Sequence, residues 1–492
     1  RRRHTRYWRD WSSDVCSSDL DAGPTERRAW IDETIAESMG GHDAVGAATD
    51  TVGIRLDKAF THPVLGLLVF VAVMSGLFWT IFSLASIPMD LVDGLFGSLG
   101  DLASNVIPPG AIRDLVVDGV IGGIAGTVIF LPQILILFFL LALLEDTGYL
   151  ARAAFVMDRV MCRFGLPGQA FVPLLSSHAC ALPGIMSARL VPDRDDRLAT
   201  ILVAPFMSCT ARLPVYVLLI GLLFDGRPWV AGLAFAGCYL LGAAAALVSA
   251  FIARRTILPG RSRPMVLELP EYRRPSIRAA LLVSWDRGLV FLKNAGTIIV
   301  AICVVMWWLS AYPRAATPPE AIALQTQAAE IAEQDPAEAE ELEARAGMLE
   351  VQAQQAGSFA GRIGSFVQPV FEPMGADRTL TVAILTSFLA REVFVSTVAV
   401  LQGGGEDVVE DEHEVLSLVR NATREDGTPV FNRATSASML VFFVLAMQCL
   451  PTLAVTRRET GSWRWPALQF AWMSGLAWVA AVIVHAATSA LA

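Results

Sequence analysis

The chain has 492 residues, of which 54% are hydrophobic, and its mean hydropathy is +0.52. In so apolar a chain the net charge of −9 carries little information on partners, and no nucleic acid is expected among them. Only two lysines occur, Lys58 and Lys293, and neither completes a P-loop, so the chain is not expected to be an enzyme that hydrolyses a nucleotide by that route.

Several long stretches carry no charge, and each exceeds the roughly 20 residues that a helix needs to cross a bilayer core. Backbone groups in lipid must be hydrogen-bonded within their own segment, so such stretches predict helices. We therefore predict an all-α polytopic membrane protein with about seven spanning helices. The predicted spans are 63–86, 117–144, 198–224, 228–253, 290–312, 434–456 and 466–490.

The N-terminus differs in character from the rest of the chain. The sequence begins at Arg1 rather than at a methionine, and residues 1–20 match neither a signal peptide nor anything downstream. We interpret 1–20 as a non-native leader and place the membrane domain at 61–492.

The stretch SSHACALPGIMSAR (176–189) lies in an apolar segment at 170–189 and holds His178, Cys180, Pro183 and Gly184. Proline removes a backbone donor and glycine loosens the chain, so carbonyls near Cys180 would be freed to face a cavity. A thiolate beside such carbonyls suits a borderline or soft divalent cation. The alternative is a buried structural thiol, and His178 is either a ligand or a partner for a carbonyl.

Two further motifs, APFMSCTARLP (204–214) and AMQCLP (446–451), also place a cysteine shortly before a proline. We predict that their sulfur atoms line a metal transport path; the alternative is that the prolines only kink the helices. The first motif also holds Arg212. Burial of an arginine inside a membrane span costs free energy, so such a residue normally faces protein or water. The residues concerned are Pro205, Met207, Cys209, Arg212 and Pro214 in the first motif and Met447, Cys449 and Pro451 in the second.

The loop at 254–288 holds eight arginines against three acidic residues, which places it in the cytoplasm. If 170–189 and 376–401 crossed the membrane fully, the charges that flank them would fall on the wrong sides. The conflict disappears if both are re-entrant gate segments. The N-terminus is then cytoplasmic, and the two opposed segments give the pattern of an inverted-repeat transporter.

SFLAREVFVS (387–396) places Arg391 and Glu392 in the second re-entrant segment. A carboxylate at that depth would ligate a cation or carry a coupled proton, and the alternative is a local Arg–Glu pair that closes a gate. Two polar regions complete the chain. Residues 316–357 predict an extracytoplasmic helical insert, and 403–433 predict a polar loop.

Five motifs resemble, in consistent order, the membrane domain of the B-type ferrous iron transporters. They are EDTGYLARAAFVMDR, SHACALPGIMSARL, DRLATILVAPFMSCTARLPVY, SFLAREVFVSTVAVL and RRETGSWRW. The resemblance implies an importer of Fe²⁺ in the bacterial inner membrane, with gate motifs at 170–215 and 376–401. In that family a gate cysteine is proposed to handle the metal, and Cys180 occupies the matching place.

The resemblance also implies partners beyond Fe²⁺ and the lipid bilayer, namely a second copy of the chain and small cytoplasmic accessory proteins. GTP and Mg²⁺ would belong to a GTP-binding domain that precedes the membrane domain in the family. Residues 21–60 would then be the remnant of its helical regulatory domain and a linker, and the chain a fragment. The alternatives are a nucleoside- or proton-coupled carrier that shares the gate fold, and a membrane protein with a structural metal.

The first gate departs from the family pattern. The family commonly has Gly-Phe-Gly-Cys-Asn-x-Pro, whereas this chain has Ser-His-Ala-Cys-Ala-Leu-Pro at 177–183. The asparagine is missing and His178 is added, so the family's ligand set is not carried over to this gate.

Overall fold

The computed structural model describes residues 52–62, 64–178, 180–224, 226–259, 272–314, 316–331, 336–388, 391, 393–402, 412–422, 424 and 428–491. The predicted leader at 1–20 lies outside these ranges, and so does most of 21–60. The N-terminal unit of the chain ends at Ala59, and the second unit runs from Phe60 to Ala492.

Helices dominate the described residues, which confirms the all-α prediction. In chain order they are α1 (Val52–Phe60), α2 (Leu65–Val106), α3 (Ala111–Asp114), α4 (Gly122–Val128), α5 (Leu131–Asp146), α6 (Tyr149–Met161), α7 (Phe171–Ser177), α8 (Ala181–Ser187), α9 (Arg194–Val203), α10 (Leu213–Leu223), α11 (Pro228–Thr256), α12 (Ile277–Phe291), α13 (Thr297–Ala311), α14 (Pro319–Ile331), α15 (Pro336–Gly357), α16 (Phe359–Phe371), α17 (Arg378–Thr386), α18 (Val393–Leu401), α19 (Glu412–Asn421), α20 (Arg433–Leu445), α21 (Leu450–Thr460) and α22 (Arg464–Leu491).

Short irregular turns connect several of these helices. A π-helical turn at Leu115–Ile121 joins α3 to α4, and another at Leu292–Gly296 joins α12 to α13. The 3₁₀ turns are Cys162–Phe164, Gly168–Ala170, Ala188–Leu190, Ala204–Phe206, Thr210–Arg212 and Glu372–Met374.

Six helical stretches of the described chain are long and apolar enough to cross a membrane, and the shorter apolar helix Ile299–Ala311 adds a seventh candidate. Each of the seven overlaps one predicted span, so the polytopic prediction is confirmed. The six long stretches are Leu68–Val106, Ala111–Asp146, Arg194–Leu223, Pro228–Thr256, Arg433–Thr460 and Arg464–Leu491.

Three predicted elements differ from the structure. The span predicted at 63–86 is only the first half of α2, which continues through Pro88 to Val106. The span predicted at 290–312 begins within a longer helical run, because α12 starts at Ile277. The loop predicted at 403–433 contains α19, since Val415 and Val419 recur at helical spacing and are buried.

Two predicted spans, 198–224 and 434–456, are not uninterrupted helices. The first breaks between α9 and α10, where Met207 and Cys209 are extended between two 3₁₀ turns. The second breaks between α20 and α21, where Ala446 and Cys449 are extended. Composition alone identified each stretch as apolar, but backbone hydrogen bonds decide whether a helix continues.

The order of elements is repeated in opposite directions. In the first half the hairpin α7–α8 is followed by the broken pair α9–α10. In the second half the hairpin α17–α18 is followed by α19 and then by the broken pair α20–α21. Such a repeat places broken segments from both halves at the same depth.

Both ends of the first hairpin lie at Arg254, near the end of α11. A side chain built on Gly165 would begin 3.1 Å from Arg254 Cβ, and the Asp196 carboxylate is 2.9 Å from Arg254 Nη2. The two ends of the segment between Gly165 and Asp196 therefore meet at the same end of the helix bundle, and its re-entry into the membrane stays a prediction.

The second hairpin starts at the opposite end of the bundle. The chain that follows it returns to its start, since Arg424 Nη2 donates to the Gly375 carbonyl at 3.0 Å and Arg424 Nε is 3.4 Å from Asp377 Oδ2. The α9–α10 pair connects the two ends: it begins at Asp196, and Gly221 near its end lies against Leu416 of α19.

The region predicted as a helical insert forms α14 and α15, which pack against each other. Gln325 on α14 donates to Glu350 on α15 at 3.1 Å. The side of the membrane on which this pair lies stays a prediction.

Candidate functional site

The three cysteine–proline motifs have one local structure: each cysteine precedes a helical turn. Cys180 is the N-cap of α8 (φ −155°, ψ 135°), and Cys449 is the N-cap of α21 (φ −154°, ψ 94°). Cys209 (φ −89°, ψ 168°) precedes the 3₁₀ turn that leads into α10. Because the backbone is extended at these positions, one helix ends there, and the first N–H groups of the next helix have no partner within that helix.

The prolines that follow lie in the first turn of a helix. Pro183 is the third residue of α8, Pro214 the second of α10 and Pro451 the second of α21. The N–H groups of a first turn have no acceptor within the helix, so proline costs nothing there. The prolines therefore fix where each helix restarts, and the freeing of carbonyls by Pro183 stays a prediction.

One cavity of about 140 Å³ collects residues from all three motifs. Its walls come from both hairpins and both broken pairs, and from the helices α2, α4, α5, α12 and α13. A cavity of this volume is large enough for several water molecules. The sequence-predicted residues that line it are Cys180, Pro205, Met207, Cys209, Arg391, Cys449 and Pro451.

Two other predicted site residues, His178 and Met447, do not line the cavity. His178 Nδ1 is 3.4 Å from the Ser208 carbonyl, and its ring stacks on Tyr239 with the centroids 6.0 Å apart. Donation to that carbonyl requires the hydrogen on Nδ1. Met447 is 1% exposed and packs in the core. Glu392 lies outside the described residues.

Arg212 is fully buried and hydrogen-bonds to backbone carbonyls of its own broken segment. It donates to Phe206 at 3.0 Å and to Pro205 at 3.1 Å. Arg391 is 4% exposed, and its Nε donates to the Gln448 carbonyl at 3.4 Å. The two guanidinium groups therefore satisfy carbonyls that the helix breaks leave without helical donors.

Two glycines allow backbones to approach at the breaks. A side chain on Gly184 of α8 would fall on Ser177 Oγ and 2.9 Å from the Pro173 carbonyl oxygen. A side chain on Gly242 of α11 would lie 2.8 Å from the Phe206 carbonyl oxygen. Both contacts are closer than a carbon atom permits, so glycine is required at each position.

Four polar residues that line the cavity were not predicted from the sequence: Gln133, Thr210, Gln448 and Thr452. Each is a polar residue in or beside an apolar run, and three of them lie within three residues of Cys209 or Cys449. Polar side chains at that depth are a signal of function in their own right. Within the described ranges, no three His, Cys, Asp or Glu side chains are grouped closely enough to hold a metal ion.

Family models match most of the second unit. A model described as "Gate: Nucleoside recognition" matches residues 127–223 and 292–463, so each stretch contains one hairpin and one broken pair. A model described as "Ferrous iron transport protein B C terminus" matches residues 235–287. No solved structure matches the chain.

Curated relatives show the same likeness. A Fe(2+) transporter FeoB of Leptospira biflexa is 39% identical over 86% of this chain and 58% of its own length. The Campylobacter jejuni protein of the same name is 32% identical over 87% of this chain and 64% of its own length. A Porphyromonas gingivalis protein is named a fusion of Fe(2+) transport protein A with the transporter FeoB. It is 37% identical over 88% of this chain and 51% of its own length. The chain thus spans little more than half the length of these relatives.

Proposed function

The chain belongs to the ferrous iron transport protein B family as its membrane domain, and on that premise we propose that the cysteine-lined cavity is a passage for Fe²⁺. One observation carries this proposal: Cys180, Cys209 and Cys449 come from three separate helix breaks and line the same cavity. Buried cysteines with only a packing role have no reason to converge.

The chemistry of the lining suits a divalent transition metal. Thiol and thioether sulfur from Cys180 and Met207 favours borderline and soft cations, and Mg²⁺ and Ca²⁺ prefer oxygen. A transport site must also release its ion, so sulfur ligands spread over three helix breaks serve better than a closed cage.

The setting of this passage is proposed as follows. The arginine-rich end around Arg254 faces the cytoplasm of a bacterium, with the N-terminus on the same side and the chain in the inner membrane. The intact protein couples transport to GTP hydrolysis in a preceding domain. A small accessory protein is a partner, since one relative carries Fe(2+) transport protein A in the same polypeptide. Assembly into homo-oligomers belongs to the same proposal.

Replacement of Cys180 in a full-length protein tests this function. In an iron-starved host, Cys180→Ser should abolish Fe²⁺ uptake, because it removes sulfur from the cavity. Cys303→Ser is the matched control, since Cys303 lines a different cavity with Met306 and Thr397. Wild-type uptake by Cys180→Ser at equal protein level would remove Cys180 from the mechanism.

The alternative functions make different predictions in proteoliposomes. A nucleoside- or proton-coupled carrier would take up its substrate without the thiols and would depend on Glu392. A structural metal would resist exchange and leave no transport when Fe²⁺, Mn²⁺ and Zn²⁺ compete. Fe²⁺ uptake that requires the cavity cysteines contradicts both.

A further inference from the structure

We propose that Gln448 and Thr452 supply oxygen ligands to the cation in this cavity and that these oxygens favour Fe²⁺ over Zn²⁺. The proposal rests on the Fe²⁺ passage proposed above and adds to it the ligands that set selectivity. Both residues line the cavity with Cys449, and both are 0% exposed.

The amide of Gln448 is held in one orientation. Ser387 Oγ donates its only hydrogen to the Ile384 carbonyl at 2.6 Å, so its oxygen must accept the bond that joins it to Gln448. That bond, at 3.2 Å, therefore comes from the Gln448 amide nitrogen. The Gln448 amide oxygen is left buried without a hydrogen-bond partner.

The hydroxyl oxygen of Thr452 also lacks a hydrogen-bond partner. A threonine in a helix usually donates to a carbonyl three or four residues earlier, which here would be Cys449 or Gln448. Neither bond forms, and Thr452 Oγ1 is buried without a partner. Its backbone N–H donates to the Cys449 carbonyl at 3.1 Å, which ties the hydroxyl to the turn that bears the thiol.

A buried oxygen without a partner is unfavourable unless a ligand or water satisfies it. Gln448 and Thr452, the residues that carry these two oxygens, both line one cavity, which points to a guest that accepts electron pairs. Among the described residues that line the cavity, Arg391 also has a buried unpartnered atom, Nη1, but a guanidinium nitrogen only donates and does not ligate a cation.

The chemistry of these donors predicts the direction of selectivity. Zn²⁺ is satisfied by four ligands and binds thiolate sulfur well. Fe²⁺ binds a given set of ligands less tightly than Zn²⁺, so selectivity for iron depends on geometry and ligand type. Amide and hydroxyl oxygens raise the coordination number beyond four, which removes the advantage of Zn²⁺.

The test uses the full chain in lipid nanodiscs with Co²⁺ as the spectroscopic probe. A sulfur-to-cobalt charge-transfer band reports thiolate ligands, and the intensity of the d–d bands falls as the coordination number rises above four. We expect the wild type to show the charge-transfer band with weak d–d bands. Thr452→Val and Gln448→Leu should keep the charge-transfer band and should gain the intense d–d bands of a four-coordinate site.

Competition between Fe²⁺ and Zn²⁺ gives the second readout. Both variants should lose roughly tenfold or more in the preference for Fe²⁺. Thr435→Val is the matched control, because Thr435 Oγ1 is equally buried and unpartnered but does not line the cavity.

The outcomes separate the two proposals. If the charge-transfer band is present and both d–d intensity and metal preference stay unchanged in Thr452→Val and Gln448→Leu, the oxygen ligands are excluded and the thiol passage stands. If the wild type has no charge-transfer band, the thiol passage fails, and the proposed ligand set fails with it. Thr452→Val is nearly isosteric, so it tests the oxygen ligands even where Gln448→Leu does not fold.

Discussion

Arg212 and Arg391 donate to the same backbone oxygen, the carbonyl of Ala446, at 3.4 and 3.2 Å. In an uninterrupted helix this carbonyl would accept from the N–H of Leu450, but that N–H donates to the Phe388 carbonyl at 3.1 Å. The break between α20 and α21 is therefore held by one arginine from each half of the repeat.

This shared acceptor predicts energetic coupling between the two arginines. Each of Arg212→Lys and Arg391→Lys should destabilise the protein, because a lysine cannot reach several carbonyls at once and a buried carbonyl without a donor costs about 1–3 kcal/mol. The double variant should lose more than the sum of the single losses, because each single variant leaves one arginine donating to the Ala446 carbonyl and only the double variant removes both donors. Denaturation in detergent measures the three free energies of unfolding.

The control for this cycle is Arg255→Lys, because Arg255 is exposed near the end of α11 and lies over the ring of Phe251. It should change the free energy of unfolding little. Strict additivity of the two buried substitutions would contradict the shared role at Ala446.

A second prediction concerns the first hairpin. Gly184→Ala should lower the melting temperature and open the contact between α7 and α8, because the added carbon meets Ser177 Oγ and the Pro173 carbonyl oxygen. Gly237→Ala places the same carbon on α11, where nothing lies within 4 Å, and should be neutral. Thermal unfolding in detergent compares the two. Equal effects of both substitutions would refute the close packing.

A third prediction concerns the ion pair between Arg254 and Asp196, whose side chains are 6% and 7% exposed. Arg254→Met leaves a buried carboxylate without its cation and should cost about 3–5 kcal/mol of unfolding free energy. Arg255→Met, one residue later and exposed, should cost little. A small loss for Arg254→Met would mean that the carboxylate is reached by water.

A fourth prediction concerns the reaction of thiols with a small maleimide. Cd²⁺ should protect Cys180, Cys209 and Cys449 from alkylation, because a thiolate that binds metal is no longer available as a nucleophile. Cys162, which is exposed, should react at the same rate with and without Cd²⁺. Mass spectrometry of the labelled peptides measures each rate. Equal protection of Cys162 would show that Cd²⁺ acts elsewhere than in the cavity.

The sequence predicted the general fold and part of the site because both leave a compositional signal. Charge-free runs predict helices that cross a membrane, and the proline after Cys180 predicts a break. The same signal failed to show that 198–224 and 434–456 are interrupted, because hydropathy averages over the very residues whose backbone is extended. A sequence does not show that Leu450 bonds to Phe388 instead of Ala446.

The polar residues of the cavity were harder to predict than its cysteines. Glutamine and threonine are common residue types, and only the burial of their side-chain oxygens without hydrogen-bond partners distinguishes Gln448 and Thr452. Their neighbour Cys449 was found because cysteine chemistry narrows the possibilities for function. His178 was chosen for the same reason, and the structure places it against Ser208 and Tyr239 instead of in the cavity wall.

The most direct test of the cysteine passage is X-ray absorption at the iron edge of the Fe²⁺-loaded full chain. It compares two triple serine variants, one at Cys180, Cys209 and Cys449 and the other at Cys162, Cys238 and Cys303, none of which lines this cavity. We predict a shell of sulfur neighbours around iron in the wild type and in the second variant, and only oxygen or nitrogen neighbours in the first. A sulfur shell that persists in the first variant would contradict the account.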